Sequence, residues 1–158
     1  MQNLLQFQYN LVKESREVVF VYLESEVKGD FLVPLPAYND KNIRYMLVHI
    51  ANTYIAWINN FVLKGDRKFF SEDKISSIDQ LRDIFDEVDH IMNQFCSKYS
   101  EDLVQPVKGY KWVDKYIETD SYSIFTHVIT HEFHHKGQSM TMGRLLGHTP
   151  LDTDILRF

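Results

Sequence analysis

The chain has few of the residues that form tight turns, crosslinks or membrane spans. Its 158 residues include only 6 glycines and 4 prolines, which favours long helices over many short strands. The single cysteine, Cys96, cannot form an internal disulfide and fits a reducing compartment. No apolar run reaches the ~18 residues of a membrane span. The first residues lack the basic start and apolar block of a signal peptide, so we expect a cytoplasmic protein without a membrane partner.

Basic side chains are not concentrated in any part of the chain. The formal net charge is -5, and the 17 lysines and arginines are scattered. Proteins that bind nucleic acids usually carry a basic stripe that neutralises phosphates, so we expect no nucleic-acid partner. Apolar residues make up 44% of the chain, which is enough for one hydrophobic core. We therefore expect a single domain over residues 1–158.

Apolar residues recur at helical spacing in four segments. These segments cover about residues 2–27, 39–64, 77–97 and 121–146. Asn39 or Asp40 would cap the second helix, Ser77 the third and Asp120 the fourth. Residues 101–118 lack this spacing and predict a crossover with a short hairpin. The expected fold is all-α, a four-helix bundle with a long crossover between helices three and four.

Histidine is concentrated in the fourth segment, which holds four of the chain's seven, at positions 127, 131, 134 and 135. His131 and His135 are four residues apart, so their imidazoles lie one above the other on one helix face. Such a pair can supply half of a tetrahedral metal shell. His127 is also four residues from His131, which makes 127/131 a rival pair. We prefer 131/135 because Gly137 would let another helix approach and Gln138 could hydrogen-bond a ligand or bound water.

A third imidazole is available in the second segment, where His49 interrupts an otherwise apolar face. With His131 and His135 it would give three neutral ligands. That set leaves a position for water or substrate, as in catalytic metal centres. The sequence therefore predicts a divalent metal ion as cofactor, and three imidazoles suit zinc, nickel, iron or copper.

Two further patterns overlap this stretch, and both include Glu132. From His131 onward the sequence reads His-Glu-x-x-His, the zinc metalloprotease signature with Glu132 as general base. The third ligand of that signature is missing from its place further along the chain. From Glu132 onward it reads Glu-x-x-His, the pattern of di-iron carboxylate bundles. Those sites need a glutamate on each of two other helices, and residues 43–63 contain no acidic residue. We therefore expect neither site.

The second and fourth segments resemble the motifs of a known family. The second carries His-Ile-Ala-Asn at residues 49–52, followed by Trp57. The fourth carries the histidine-rich run 127–138, followed by Arg-Leu-Leu-Gly at 144–147. Both are similar to motifs of the DinB-like family of metal-binding four-helix bundles, which is related to the YfiT-type thiol transferases. The similarity spans nearly the whole chain.

The resemblance implies a divalent metal site at His49, His131 and His135, the same set that the spacing suggests. It also implies a homodimer. Some relatives are similar to transferases or isomerases that use a low-molecular-weight thiol such as bacillithiol or mycothiol.

The leading hypothesis is therefore a metal-dependent thiol S-transferase, with a small-molecule thiol and a small electrophile as partners. The metal would lower the pKa of the thiol, and Glu132 or Gln138 would position the incoming group as candidate catalytic residues. One alternative is a hydrolase in which Glu132 assists metal-bound water. Another is a non-catalytic metal-binding protein of the stress response.

Overall fold

Four long helices contain most of the chain. The computed structural model describes residues 3–157. The long helices are α1 (Leu4–Tyr22), α2 (Ile43–Tyr54), α3 (Ile78–Lys98) and α4 (Ser121–Leu145). π-Helical turns extend α1 over Leu23–Val27 and α2 over Ile55–Val62. Short 3-10 turns occupy Lys28–Leu32, Pro36–Tyr38 and Glu72–Lys74.

Two of the predicted helix starts are confirmed. Ser77 and Gln80 form a reciprocal capping box at the start of α3, and Asp120 accepts a hydrogen bond from the Ser123 amide at the start of α4. The predicted start of α2 is wrong. Asn39 and Asp40 have φ angles of 53° and 59°, which are left-handed turn conformations rather than helix caps.

The cap of α2 is Asn42, whose side chain accepts a hydrogen bond from the Tyr45 amide 2.9 Å away. The preceding turn explains the later start. The Asn39 amide bonds back to the Pro36 carbonyl, which closes the 3-10 turn Pro36–Tyr38 and directs the chain away from a helix.

The crossover between α3 and α4 contains the expected hairpin. Strands β1 (Pro106–Trp112) and β2 (Lys115–Asp120) pair antiparallel, with Tyr110 opposite Tyr116. The register shifts between Tyr110 and Trp112, a β-bulge that bends the tip of the hairpin. The chain is therefore mostly helical with a small two-stranded sheet, so the all-α class holds apart from the hairpin that the crossover was expected to contain.

The core lies mainly between α2 and its neighbours α3 and α4. Its largest fully buried side chains include Tyr9, Tyr54, Phe95 and Phe125. Cys96 is also buried, and that burial raises the pKa of its thiol to about 12, so Cys96 is an unreactive core residue. Within residues 3–157, no helix is both long and apolar enough to cross a bilayer.

Helix α4 approaches α1 closely at Gly143, not at Gly137 as the sequence suggested. A Cβ atom built on Gly143 would lie 2.3 Å from the Tyr22 Oη atom, whereas nothing lies within 4 Å of one built on Gly137. Because the Tyr22 side chain is fully buried, it cannot move aside without disturbing the core.

We predict opposite effects for alanine at the two glycines of α4. Gly143→Ala should lower the free energy of unfolding by about 1–3 kcal/mol, because the new methyl group overpacks the contact with Tyr22. Gly137→Ala should raise it by up to about 1 kcal/mol, because alanine favours helix and has free space there. Urea denaturation measures both values. Equal effects of the two substitutions would contradict the close approach at Gly143.

Candidate metal centre

Three imidazoles meet where α2 packs against α4. His49 comes from α2, and His131 and His135 come from successive turns of α4. One ring nitrogen from each lies within 4.8 Å of the other two. The ring centroids are 4.4 Å apart for His131 and His135, and 5.0 and 4.6 Å from His49 to these two. The rings thus surround one point instead of forming a stack.

The distances between the rings fit a shared metal ion. Two ligands at ~2.0–2.1 Å from a tetrahedral centre would be roughly 3.3 Å apart. The Nε2 atoms of His131 and His135 are 3.2 Å apart. A hydrogen bond between two imidazoles would give a similar distance, but it would not explain the third ring directed at the same point. His131 Nδ1 is buried and has no hydrogen-bond partner among residues 3–157, so the protein itself does not satisfy this ring.

The three histidines are held in their neutral form. Burial lowers the pKa of His131 to about 4, with further lowering by the neighbouring imidazoles of His135 and His49. Burial also lowers the pKa values of His49 and His135. Neutral imidazole is the form that binds metals. At pH 7 the cluster is therefore ready to accept a cation without first losing protons.

Gln138 fixes the ring of His135. Its Oε1 atom is 2.6 Å from His135 Nδ1, one turn along α4. An amide oxygen only accepts hydrogen bonds, so Nδ1–H donates and the lone pair is on Nε2. The Nε2 atom of His135 faces His131. A hydrogen bond from the other ring nitrogen, like the one to Gln138, is what commonly orients a metal-binding histidine.

The remaining histidines lie outside the cluster. His127 contacts the Trp57 ring, with centroids 5.1 Å apart, and the structure does not group it with the three convergent rings. The rival pair 127/131 is therefore not the pair that meets His49. His134 is exposed, and His148 pairs with Asp30 on the surface.

Glu132 faces the core and not the histidines. Because it follows His131 by one residue, it is rotated by about 100° around α4. Its two carboxylate oxygens accept hydrogen bonds from Arg16 at 2.8 and 2.9 Å, and one also accepts from Tyr54 Oη at 2.5 Å. Burial raises the pKa of Tyr54, and the charge of Glu132 raises it further, so this hydroxyl stays protonated and donates.

Arg16 links Glu132 to a second carboxylate, Asp89 on α3, whose Oδ1 atom is 2.7 Å from Arg16 Nη1. Tyr9 Oη also donates to Asp89, at 2.6 Å. The sequence analysis missed this network. One signal for it was present: Arg16 stands four residues after Val12 and three before Val19, on the apolar face of α1.

A cleft of about 550 Å³ opens beside the histidines. His49 and His131 form part of its wall, and the hairpin tip supplies Lys111 and Trp112. Its remaining lining residues are Asn52, Thr53, Ala56, Trp57, Phe69 and His127. A second cavity of about 250 Å³ reaches the other side of His49. Both volumes suit small molecules.

The fold and this site define a mostly helical protein in which three histidines could hold a metal ion at the wall of a cleft. The chain belongs to the DinB family, whose model matches residues 1–158, the full length. No curated protein matches the chain.

We predict that Glu132→Gln mainly lowers stability. The change leaves Arg16 buried opposite one carboxylate fewer, so the free energy of unfolding should fall by about 3 kcal/mol. Glu87→Gln is the control, because its ion pair with Arg67 is exposed and should contribute less than about 1 kcal/mol. Denaturation and metal analysis of both variants test this. A Glu132→Gln protein of unchanged stability would contradict the structural role.

Proposed function

We propose that the chain is a cytoplasmic four-helix-bundle protein that binds one divalent metal ion through His49, His131 and His135. We further propose that it is a thiol S-transferase acting on small electrophiles. The observation that carries the proposal is the convergence of three neutral imidazoles at the wall of an open cleft. Three protein ligands leave a coordination position for a reactant. Zinc, nickel and iron all suit this donor set.

The nucleophile must come from outside the chain. Cys96 is the only cysteine, and it is buried with its pKa raised to about 12. A bound divalent ion would supply the acidity that converts an incoming thiol to thiolate at neutral pH. In the net reaction the thiol proton passes to solvent, the sulfur forms a bond to the electrophilic carbon, and the bond from that carbon to its leaving group breaks. The leaving group takes the electron pair.

The chain's own residues would hold and orient the reactants. Gln138 would keep His135 in one tautomer and orientation through its 2.6 Å contact, and the cleft would hold the electrophile next to His49 and His131. Of the two candidate catalytic residues, Gln138 is the one beside the histidine cluster. We assign Glu132 a positioning role, because both of its oxygens are engaged by Arg16 and Tyr54.

Hydrolysis is the runner-up function. It requires a general base near the reacting water; the cleft offers the imidazole of His127, and Glu72 lines the cavity of about 250 Å³ that also borders His49. Turnover that needs no added thiol would separate hydrolysis from the transferase.

We predict that metal binding and thiol transfer are lost together in the three histidine variants. Elemental analysis should find about one divalent ion per chain in the wild type and almost none in His49→Ala, His131→Ala or His135→Ala. Conjugation of low-molecular-weight thiols to 1-chloro-2,4-dinitrobenzene should fall at least tenfold in the same variants. His90→Ala removes an exposed histidine on α3, so it is the matched control and should keep both properties.

Three results would count against this assignment. Equal conjugation rates in the wild type and His131→Ala would exclude the transferase mechanism. Ester or amide turnover without added thiol would favour the hydrolase. A chelator-sensitive melting temperature without any turnover would favour a non-catalytic role.

We also propose that the protein is a homodimer that associates through α1. Leu4, Phe7 and Val21 lie along one side of this helix and are 53%, 47% and 43% exposed.

We predict that Phe7→Glu lowers the mass measured by light scattering from that of a dimer to that of a monomer. Thr141→Glu places the same charge on the exposed side of α4 and should leave the dimer intact. A wild-type protein that is monomeric at high concentration would rule the dimer out.

A further inference from the structure

Aromatic rings form much of the wall of the cleft beside the histidines. Trp57 on the π-helical extension of α2 lies edge-to-face with Trp112 on the hairpin, with ring centroids 6.3 Å apart. Phe69 lines the same cleft, and the ring of His127 lies 5.1 Å from that of Trp57. A wall made of aromatic rings favours a planar, polarisable ligand over a flexible chain.

Most polar groups of the cleft are already occupied. The Asn52 side chain both donates to the Phe70 carbonyl and accepts from the Phe70 amide, at 2.9 and 2.8 Å. The Thr53 hydroxyl donates to the His49 carbonyl one turn earlier. The lining histidines are held neutral by burial. Among residues 3–157, the side chain of one lining residue, Lys111, therefore remains as a cation without a hydrogen-bond or ion-pair partner.

Lys111 lies between the two tryptophans. Its Nζ atom is 4.9 Å from the Trp57 ring centroid and 4.7 Å from that of Trp112. None of the ion pairs formed within residues 3–157 includes Lys111. Burial lowers the pKa of this ammonium group, because the surrounding protein solvates its charge less well than water does. An anion at this position would restore the solvation that the charge has lost.

We propose that the cleft selects a planar aromatic molecule carrying a carboxylate, with the ring against the aromatic wall formed by Trp57, Trp112 and Phe69 and the carboxylate on Lys111. This inference rests on the proposed function, because it identifies the bound molecule with the electrophile. The volume of about 550 Å³ accommodates one or two fused rings with a substituent. The ring would then lie beside His49 and His131, where the incoming sulfur reacts.

The chain offers an unusually direct binding assay. Trp57 and Trp112 are its only tryptophans, and both line the cleft, so intrinsic tryptophan fluorescence reports on this site alone. The probes are 4-nitrobenzoate, its neutral analogue 4-nitrobenzyl alcohol, and cyclohexanecarboxylate as an anion without a ring. Calorimetry gives the dissociation constants, and fluorescence quenching locates the ligand. We expect 4-nitrobenzoate to bind at least tenfold more tightly than either analogue.

Two lysine variants test the role assigned to Lys111. Lys111→Met keeps the length of the side chain and removes its charge, so it should weaken 4-nitrobenzoate binding about tenfold and leave the neutral alcohol unchanged. Lys108→Met removes the same charge from an exposed position on β1 and should change neither. Both variants are measured on the full chain as purified and again after chelation, because a bound metal ion could itself attract the carboxylate.

Three outcomes would overturn the inference. They are undetectable binding of 4-nitrobenzoate at millimolar concentration, equal affinity for the acid and the alcohol, and equal loss in Lys108→Met and Lys111→Met. A dependence on Lys111 that disappears after chelation would also overturn it, because the anion would then be held by the metal.

Turnover separates this inference from the function on which it rests. The substrates are 4-chloro-3,5-dinitrobenzoate and its neutral counterpart, 4-chloro-3,5-dinitrobenzamide. Lys111→Met should raise KM for the charged substrate about tenfold more than KM for the neutral one, because only the charged substrate loses an ion pair. If the histidine variants lose turnover while Lys111→Met does not alter this preference, the inference fails and the transferase stands. If carboxylate binding depends on Lys111 while the histidine variants keep full turnover, the transferase mechanism fails instead.

Discussion

The packing of α2 against α4 is the contact on which the histidine cluster depends. His131 and His135 are neighbours through helix geometry alone, but His49 reaches them only because the two helices are in register. Burial lowers the pKa of all three rings, and neighbouring imidazoles lower it further at His131 and His135. Three protonated imidazoles would repel one another in this space, whereas three neutral ones present lone pairs that one cation could share. The same packing that stabilises the core therefore creates a site that could hold a cation.

Features set by local sequence could be predicted, and those set by tertiary context could not. The capping box of Ser77 and Gln80 and the cap at Asp120 follow from the spacing of a few residues, and the structure has both. The start of α2 could not be predicted from such spacing, because Asn39, Asp40 and Asn42 are all residues that can cap a helix. The preceding turn at Pro36–Tyr38 decides among them, and its hydrogen bonds are not visible in a pattern of apolar residues.

The set of residues that line the cleft is a second feature that local sequence could not predict. The sequence indicates a hairpin in the crossover, but the face to which each side chain points depends on the register. A slip of one residue moves a strand's side chains to its other face. The shift between Tyr110 and Trp112 occurs at the point that brings Lys111 and Trp112 to Trp57. A bulge of this kind leaves little trace in composition, so the cleft could not be derived from the sequence.

Helix α4 joins the core and the candidate site through adjacent residues. His131 faces the cleft, and Glu132, one residue on, is held by Arg16 and Tyr54 from two other helices. Because Glu132 is bonded to residues of both α1 and α2, helix α4 cannot rotate about its axis without breaking these buried charged hydrogen bonds, which are costly to lose. The direction of His131 is therefore set from the far side of its own helix. The glutamate of the protease-like pattern thus lies in a buried ion-pair network, one residue from a candidate metal ligand.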